Sequence, residues 1–251
     1  MSVPRTGAPS EAPAGRRRIA WSSGRARGWT FGPVPDGVER EVEGWLLRGP
    51  GSDLEPLRLP NVFLKGDAVV KFYRGNNLLD RVRPPRAARA AEQHFRSLPI
   101  PSPRPLLAAA IGRSSLLVRE YVRGILLSEA WQTDPVARSE LVPFLVRMHR
   151  AGVLHGDLHP GNLIWTGSAW WLLDVEGVRH RLHSAARVIE GQWARLLAHL
   201  DDEPGLRGAY ERYVAAHGDA RIAVPSWERI RVEGLRLARQ FRHVPSPGKA
   251  S

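Results

Sequence analysis

The sequence predicts an α+β chain of two lobes, a small antiparallel-sheet lobe carrying one helix and a larger, mainly helical lobe. Three observations carry this. Two apolar runs between Val62 and Val122 are each broken by a glycine-bearing turn, which reads as paired hairpins. From Glu129 onward apolar residues recur at helical spacing. Between those helices lies a polar loop, His155–Asn162, followed by a short apolar hairpin. The chain has 251 residues, 43% hydrophobic and 25% charged, a globular composition rather than a disordered or collagen-like one.

The elements follow in order. Residues 1–27 hold six arginines against one acid and read as a disordered basic tail. Residues 28–120 form the N-lobe and 121–245 the C-lobe, with a short tail at 246–251. Val62–Leu64 and Ala68–Tyr73 flank a Gly66-Asp67 turn. Arg86–Leu98 places Ala88, Ala91, Phe95 and Leu98 on one helical face after a Pro-Pro start signal. Prolines 99, 101, 103 and 105 make a stiff extended connector, because each fixes its own φ and biases the residue before it. Leu106–Ile111 and Ser114–Val122 pair around Gly112-Arg113. Glu129–Ala151 is helical, with breaks suggested at Pro135 and Pro143. The strands Leu163–Trp165 and Trp170–Leu173 turn at Gly167. Three helices, 184–200, 206–217 and 226–242, complete the chain.

Composition excludes several chemistries. With no cysteine there is no disulfide framework, thiolate zinc site, iron–sulfur cluster or cysteine nucleophile. The net charge is +12, and only Lys65, Lys71 and Lys249 are lysines among 37 cations. Such a surface attracts phosphates and anionic membrane faces, while no motif for specific nucleic-acid recognition is present. No apolar run reaches the ~18–20 residues of a membrane-spanning helix, and the N-terminus lacks a signal-peptide core. The expectation is a cytoplasmic protein with peripheral contact to an anionic inner membrane as an option.

The chemistry concentrates in His155-Gly-Asp-Leu-His-Pro-Gly-Asn162 and Leu172-Leu-Asp-Val-Glu-Gly177. Asn162 follows Asp157 by five residues, and Asp174 follows Asn162 by twelve. A loop carboxylate can take a proton from an attacking hydroxyl, and an amide oxygen with a second carboxylate can hold Mg²⁺ against phosphate. Asp, Asn, Pro and Gly are also ordinary turn residues. The string follows an apolar helix and the strand-like Val153-Leu154, and together these read as the parts of a phosphoryl-transfer site.

These residues resemble the protein-kinase-like superfamily. His-Gly-Asp in place of His-Arg-Asp is similar to its small-molecule branch, the aminoglycoside phosphotransferases and the lipopolysaccharide core-sugar (Kdo/heptose) kinases. The Ile100-Pro-Ser-Pro-Arg-Pro105 stretch and the helical segments 194–200 and 209–213 also resemble the latter. The likeness covers roughly residues 60–215. It implies a bilobal protein-kinase-like fold and an ATP- and Mg²⁺-dependent kinase acting on a sugar hydroxyl, with a lipopolysaccharide inner core as acceptor. An aminoglycoside or small-alcohol phosphotransferase, a protein kinase and a nucleotide-binding pseudokinase module are the alternatives.

Carried over by position, the resemblance makes Asp157 the catalytic carboxylate and makes Asn162 and Asp174 the metal ligands. It makes Lys71 the phosphate-contacting lysine, with Glu92 as its helix partner. Glu120 and Val122 fall at the adenine-binding linker. The chain departs from the pattern at Asp174-Val-Glu-Gly, where no Phe follows the Asp, and at Arg119, where a smaller or apolar residue is usual. His155 reads as a scaffold of the loop; His159 either positions phosphate or is structural. The phosphate loop has two weak candidates, Gly49-Pro-Gly51 and the glycine-free 57–61. A short segment after Gly177 with no Ala-Pro-Glu leaves room for a small acceptor rather than a docked peptide.

Overall fold

A computed structural model describes residues 19–57, 61–74, 86–97, 100–179, 185–217 and 224–242. Among these, the small lobe is a seven-stranded antiparallel sheet in the order β1-β2-β6-β7-β5-β4-β3. Its strands are β1 (Ile19–Ser23), β2 (Ala26–Thr30), β3 (Glu55–Pro56), β4 (Val62–Lys65), β5 (Ala68–Arg74), β6 (Pro105–Ile111) and β7 (Ser114–Glu120). Helix α1 (Val38–Arg48) packs Val42 and Trp45 on one face with Ala68, Val70 and Leu107. Helix α2 (Arg86–Ser97) lays Ala87 and Ala91 on the other with Tyr73, Ala108 and Leu117. The strand parity follows: Ala68 and Val70 point to α1, so Lys71 and Tyr73 point to the opposite face.

The bilobal α+β expectation holds, with two corrections in the small lobe. Residues 19–27 are not tail: β1 and β2 form a hairpin, and β2 pairs with β6 from Arg27↔Ala110 to Thr30↔Leu107. Gly24 turns it at φ 52°, and Gly28 lies so close to the Ala108 backbone that a Cβ would be 2.0 Å from its carbonyl oxygen. The hairpin extends the sheet and buries Ala26, gains that outweigh its basic composition. The lobe also holds a second helix, α1. Gly49 ends it with φ 96° and an N–H bonded to the Trp45 carbonyl, so Gly49-Pro-Gly51 is a helix stop. Leu57 N–H bonds the Val62 carbonyl at 2.9 Å at the end of the β3–β4 pair, and residues 58–60 of the other candidate, 57–61, lie outside the described residues. The remainder of the predicted tails, 1–18 and 246–251, lies outside the described residues.

The large lobe begins with β8 (Ile125–Leu126), α3 (Leu127–Thr133) and α4 (Pro135–Arg150). Asp134 separates the helices and caps α4, accepting from the N–H groups of Val136 and Ala137 at 2.8 and 3.0 Å. Pro135 is well placed in the first turn, and Pro143 is accommodated without a break. Then come β9 (Leu154–His155), β10 (Leu163–Trp165), β11 (Trp170–Leu172), β12 (Val178–Arg179), α5 (Ala185–Leu200), α6 (Glu203–His217) and α7 (Trp227–Arg242). Their core runs from Leu141 and Phe144 through Trp165 and Trp170 to Trp193 and Tyr213. The proline connector docks here: Ile100 is buried in this core and the Pro101 carbonyl accepts from Leu172 N–H at 2.8 Å. No helix among the described residues is long and apolar enough to cross a membrane.

Candidate active site between the lobes

Two short strand pairs build the large-lobe half. β10 and β11 pair with Leu163↔Leu172, and Leu173 N–H bonds the Asn162 carbonyl at 2.9 Å, so Asn162 and Asp174 flank one hairpin end. β9 and β12 pair with Val178↔His155, which folds the chain after Asp174 back beside the start of the 155–162 loop. His155 is buried and ties the two together. Its Nε2–H donates to the Asp174 carbonyl, and its Nδ1 accepts from Asp157 N–H at 3.2 Å. That pattern needs a neutral ring, and burial holds its pKa below the usual histidine value. The scaffold reading of His155 therefore stands.

Asn162 is buried and donates from Nδ2 to the Asp157 carbonyl at 2.9 Å. Its acceptor oxygen is the group left for a cation. His159 caps the short helical turn Pro160–Asn162, accepting from Gly161 N–H at 3.1 Å, and stacks on His199. These contacts favour the structural role. Asp157 is open to solvent, its side chain 67% exposed, with Arg195 Nε of α5 at 3.2 Å from its carboxylate.

The small lobe supplies the cations. Lys71, only 11% exposed, places Nζ 3.2 Å from Asp174 Oδ2 and 2.6 Å from Glu176 Oε1. The Tyr73 hydroxyl donates to the same Glu176 oxygen. Burial, then the Glu176 charge, pushes the Tyr73 hydroxyl well above its ordinary pKa. Burial alone would raise Asp174, but Lys71 and then Arg119 outweigh it and hold the carboxyl below the usual range. Arg119 also donates from Nη1 to the Leu173 carbonyl.

The expected Lys71–Glu92 pair is corrected. The carboxylates on Lys71 are Asp174 and Glu176, whereas Glu92 faces solvent on α2. The neighbouring Gln93 makes the helix's contact with the site, Nε2 to Val178 C=O at 3.0 Å. One helical position rotates a side chain by about 100°, enough to exchange these roles. Glu120 ends β7: its N–H bonds the Arg104 carbonyl at 3.0 Å and its carboxylate takes Arg104 Nε at 2.7 Å. Val122 is half-buried in the linker beyond. Lys71 thus meets Asp174 across the lobes and Asn162 bonds the Asp157 backbone, with Glu120 and Val122 in the segment that joins β7 to β8. Glu176 was missed because its pattern signal, two residues after Asp174, is also that of a solvated turn acid.

The donor set suits Mg²⁺. Among the described residues no group of three His, Cys, Asp or Glu stands ready to hold a metal alone, and Mg²⁺ characteristically takes one or two carboxylates and completes its shell with phosphate and water. Asn162 and Asp174 would hold it, with Glu176 within the same segment.

No protein-family model matches the chain, and no curated protein matches its sequence. Among solved structures it is similar to the bifunctional kinase-methyltransferase WbdD, at 17% identity and a TM-score of 0.45, covering 71% of this chain and 46% of that one. A second WbdD structure gives 17% identity and 0.46, over 74% and 49%. The aminoglycoside phosphotransferase APH(3'')-Id from Streptomyces rimosus, solved with ADP and streptomycin, gives 18% identity and 0.48, over 80% of this chain and 99% of that one. The chain spans about half the length of WbdD.

Proposed function

We propose that this chain is an ATP-dependent phosphotransferase that moves the γ-phosphate to a hydroxyl of a sugar, in the lipopolysaccharide inner core. The observation that carries the reading is the meeting of Lys71 Nζ with Asp174 Oδ2 at 3.2 Å across the two lobes, beside an Asn162 bonded to the Asp157 backbone. In this arrangement Asp157 accepts the proton of the acceptor hydroxyl, whose oxygen bonds the γ-phosphorus as ADP leaves. Lys71 neutralises phosphate charge, and Asn162 and Asp174 seat Mg²⁺. The ion, when bound, offsets the charge developing on the phosphate oxygens. Glu120 and Val122 offer linker backbone groups to the adenine. Catalysis is then positioning plus electrostatics.

Two features support an anionic glycolipid acceptor. Arg195 stands at the open mouth beside the exposed Asp157, where a guanidinium suits a carboxylate or phosphate on the acceptor. The +12 charge favours approach to an anionic membrane face. The test is incubation with γ-labelled ATP and Mg²⁺ against extracted lipopolysaccharide core, aminoglycosides and a protein mixture. Label in the core supports the reading, and loss of that label in Asp157→Ala assigns the residue. Label only in an aminoglycoside or in protein moves the acceptor class. Mg-ATP binding with no transfer to any acceptor makes the chain a binding module.

A further inference from the structure

Arg119 occupies a costly position. It lies on β7, the middle strand of the small-lobe sheet, opposite Val69 in the β5–β7 register, where Lys71 pairs with Leu117. Paired residues share a sheet face, so Arg119 and Lys71 are diagonal neighbours on adjacent strands and present two cations to the same cleft. An arginine half-buried on a strand must have a partner there. Its partner is backbone: Nη1 donates to the Leu173 carbonyl, the peptide group immediately before Asp174.

The backbone of Leu173 and Asp174 is held at three points. Leu173 N–H bonds the Asn162 carbonyl at 2.9 Å, His155 Nε2–H bonds the Asp174 carbonyl, and Arg119 supplies the small-lobe contact. Lys71 grips the same segment through the Asp174 and Glu176 side chains, pairs in which phosphate would compete for the lysine and a cation for the carboxylates. The Arg119 bond to a main-chain oxygen faces no such competition.

We infer that Arg119 is a positioning residue, a clasp from the small lobe that keeps Asp174 in place for the cation once Lys71 is drawn to phosphate. This rests on the phosphotransferase reading. The clasp acts through Asp174, so it governs how far Mg²⁺ strengthens nucleotide binding rather than nucleotide binding itself.

Calorimetric titration of ADP with and without Mg²⁺, on the full chain and on Arg119→Met and Arg119→Lys, tests it. Hydrogen bonds from charged donors set the scale. In Arg119→Met the metal-free ADP affinity stays within about twofold, and the enhancement by Mg²⁺ falls about tenfold. Arg119→Lys, which keeps the charge, recovers part of it. An unchanged enhancement in Arg119→Met overturns the clasp while leaving the phosphotransferase reading intact. So does an equal loss of metal-free binding, which would make Arg119 a nucleotide contact. If Arg119→Met does not fold, Arg119→Gln takes its place in the same comparison. A wild-type chain whose ADP binding ignores Mg²⁺ removes the parent reading and the clasp with it.

Discussion

On the large-lobe side the 155–162 loop hangs from a buried chain of neutral groups. Tyr213 O–H donates to His149 Nδ1 at 2.6 Å, His149 Nε2–H to Gln192 Oε1 at 2.7 Å, and Gln192 Nε2 to the His155 carbonyl at 2.9 Å. On the small-lobe side Lys71 and Arg119 reach across as full charges, and Lys71 is paired with the carboxylates that would serve a cation. A satisfied buried network fixes geometry. Exposed or partly exposed ion pairs are exchangeable, since phosphate and metal can replace each partner. The comparison teaches that one lobe fixes its loop by neutral buried bonds and the other meets it by ion pairs, which on the proposed function the ligand would rearrange.

The largest effect should come from the preset half. Asp157→Asn is expected to lower phosphate transfer about 10³-fold, within the range of general-base loss, with Mg-ADP affinity nearly unchanged by calorimetry. Normal turnover would break the assignment. On the exchangeable half, Lys71→Met should lower kcat/KM about 10²-fold, the scale of one lost electrostatic donor, with thermal stability nearly preserved because its partners are solvent-accessible. A large stability loss would instead make the pair structural.

Gln192→Leu sharpens the contrast from the other direction. It takes away the Gln192 partner of the His149 Nε2–H and of the His155 carbonyl in the interior, and unmet buried groups cost about 1–3 kcal/mol each. Denaturant unfolding should show the loss, and the catalytic loop should weaken with it. The same network predicts a pH dependence. Burial lowers the His149 pKa from 6.5 to about 4, so the unfolded chain binds a proton there that the folded chain refuses. The stability is whole above pH 6.5 and is lost as pH falls towards 4. The full span is on the order of 3 kcal/mol. His94, lowered to about 4 by burial, adds in the same direction. A stability curve flat across that interval would contradict the neutral network.

The smallest and most discriminating pair is Glu176→Gln against Glu92→Gln. Glu176 holds both Lys71 and Tyr73, so its neutralisation should raise KM for Mg-ATP several-fold, about what one charge-assisted hydrogen bond contributes. Glu92→Gln should change KM by less than about twofold, in keeping with its exposed place on α2. The reverse ranking would restore Glu92 as the lysine's partner.

How much of this was legible in the sequence follows from what each residue depends on. The hairpin around Gly66-Asp67, the β10–β11 hairpin and the Asp157–Asn162 loop are set by local patterning and turn chemistry, and they stand within a residue or two of expectation. Lys71 was legible because strand alternation fixes its face. The β1–β2 hairpin was not, because its arginines suited a solvated arm and its pairing with β6 is a contact across about 80 residues of chain. Helix α1 has only a modest apolar stripe, completed by the sheet it covers. Glu92 and Gln93 differ by one step of a helix whose rotation packing alone decides. Arg119 looked like a misfit in a strand; its reason, the Leu173 carbonyl, lies in the other lobe.

The central claim is tested most directly by a crystal structure with ADP and Mn²⁺, whose anomalous signal locates the cation. The account predicts Mn²⁺ between Asn162 and Asp174, with Lys71 moved from the carboxylates to the phosphates and Asp157 facing open solvent. Manganese away from those two side chains, or Lys71 still bound to Asp174 and Glu176 with nucleotide in the cleft, would contradict it.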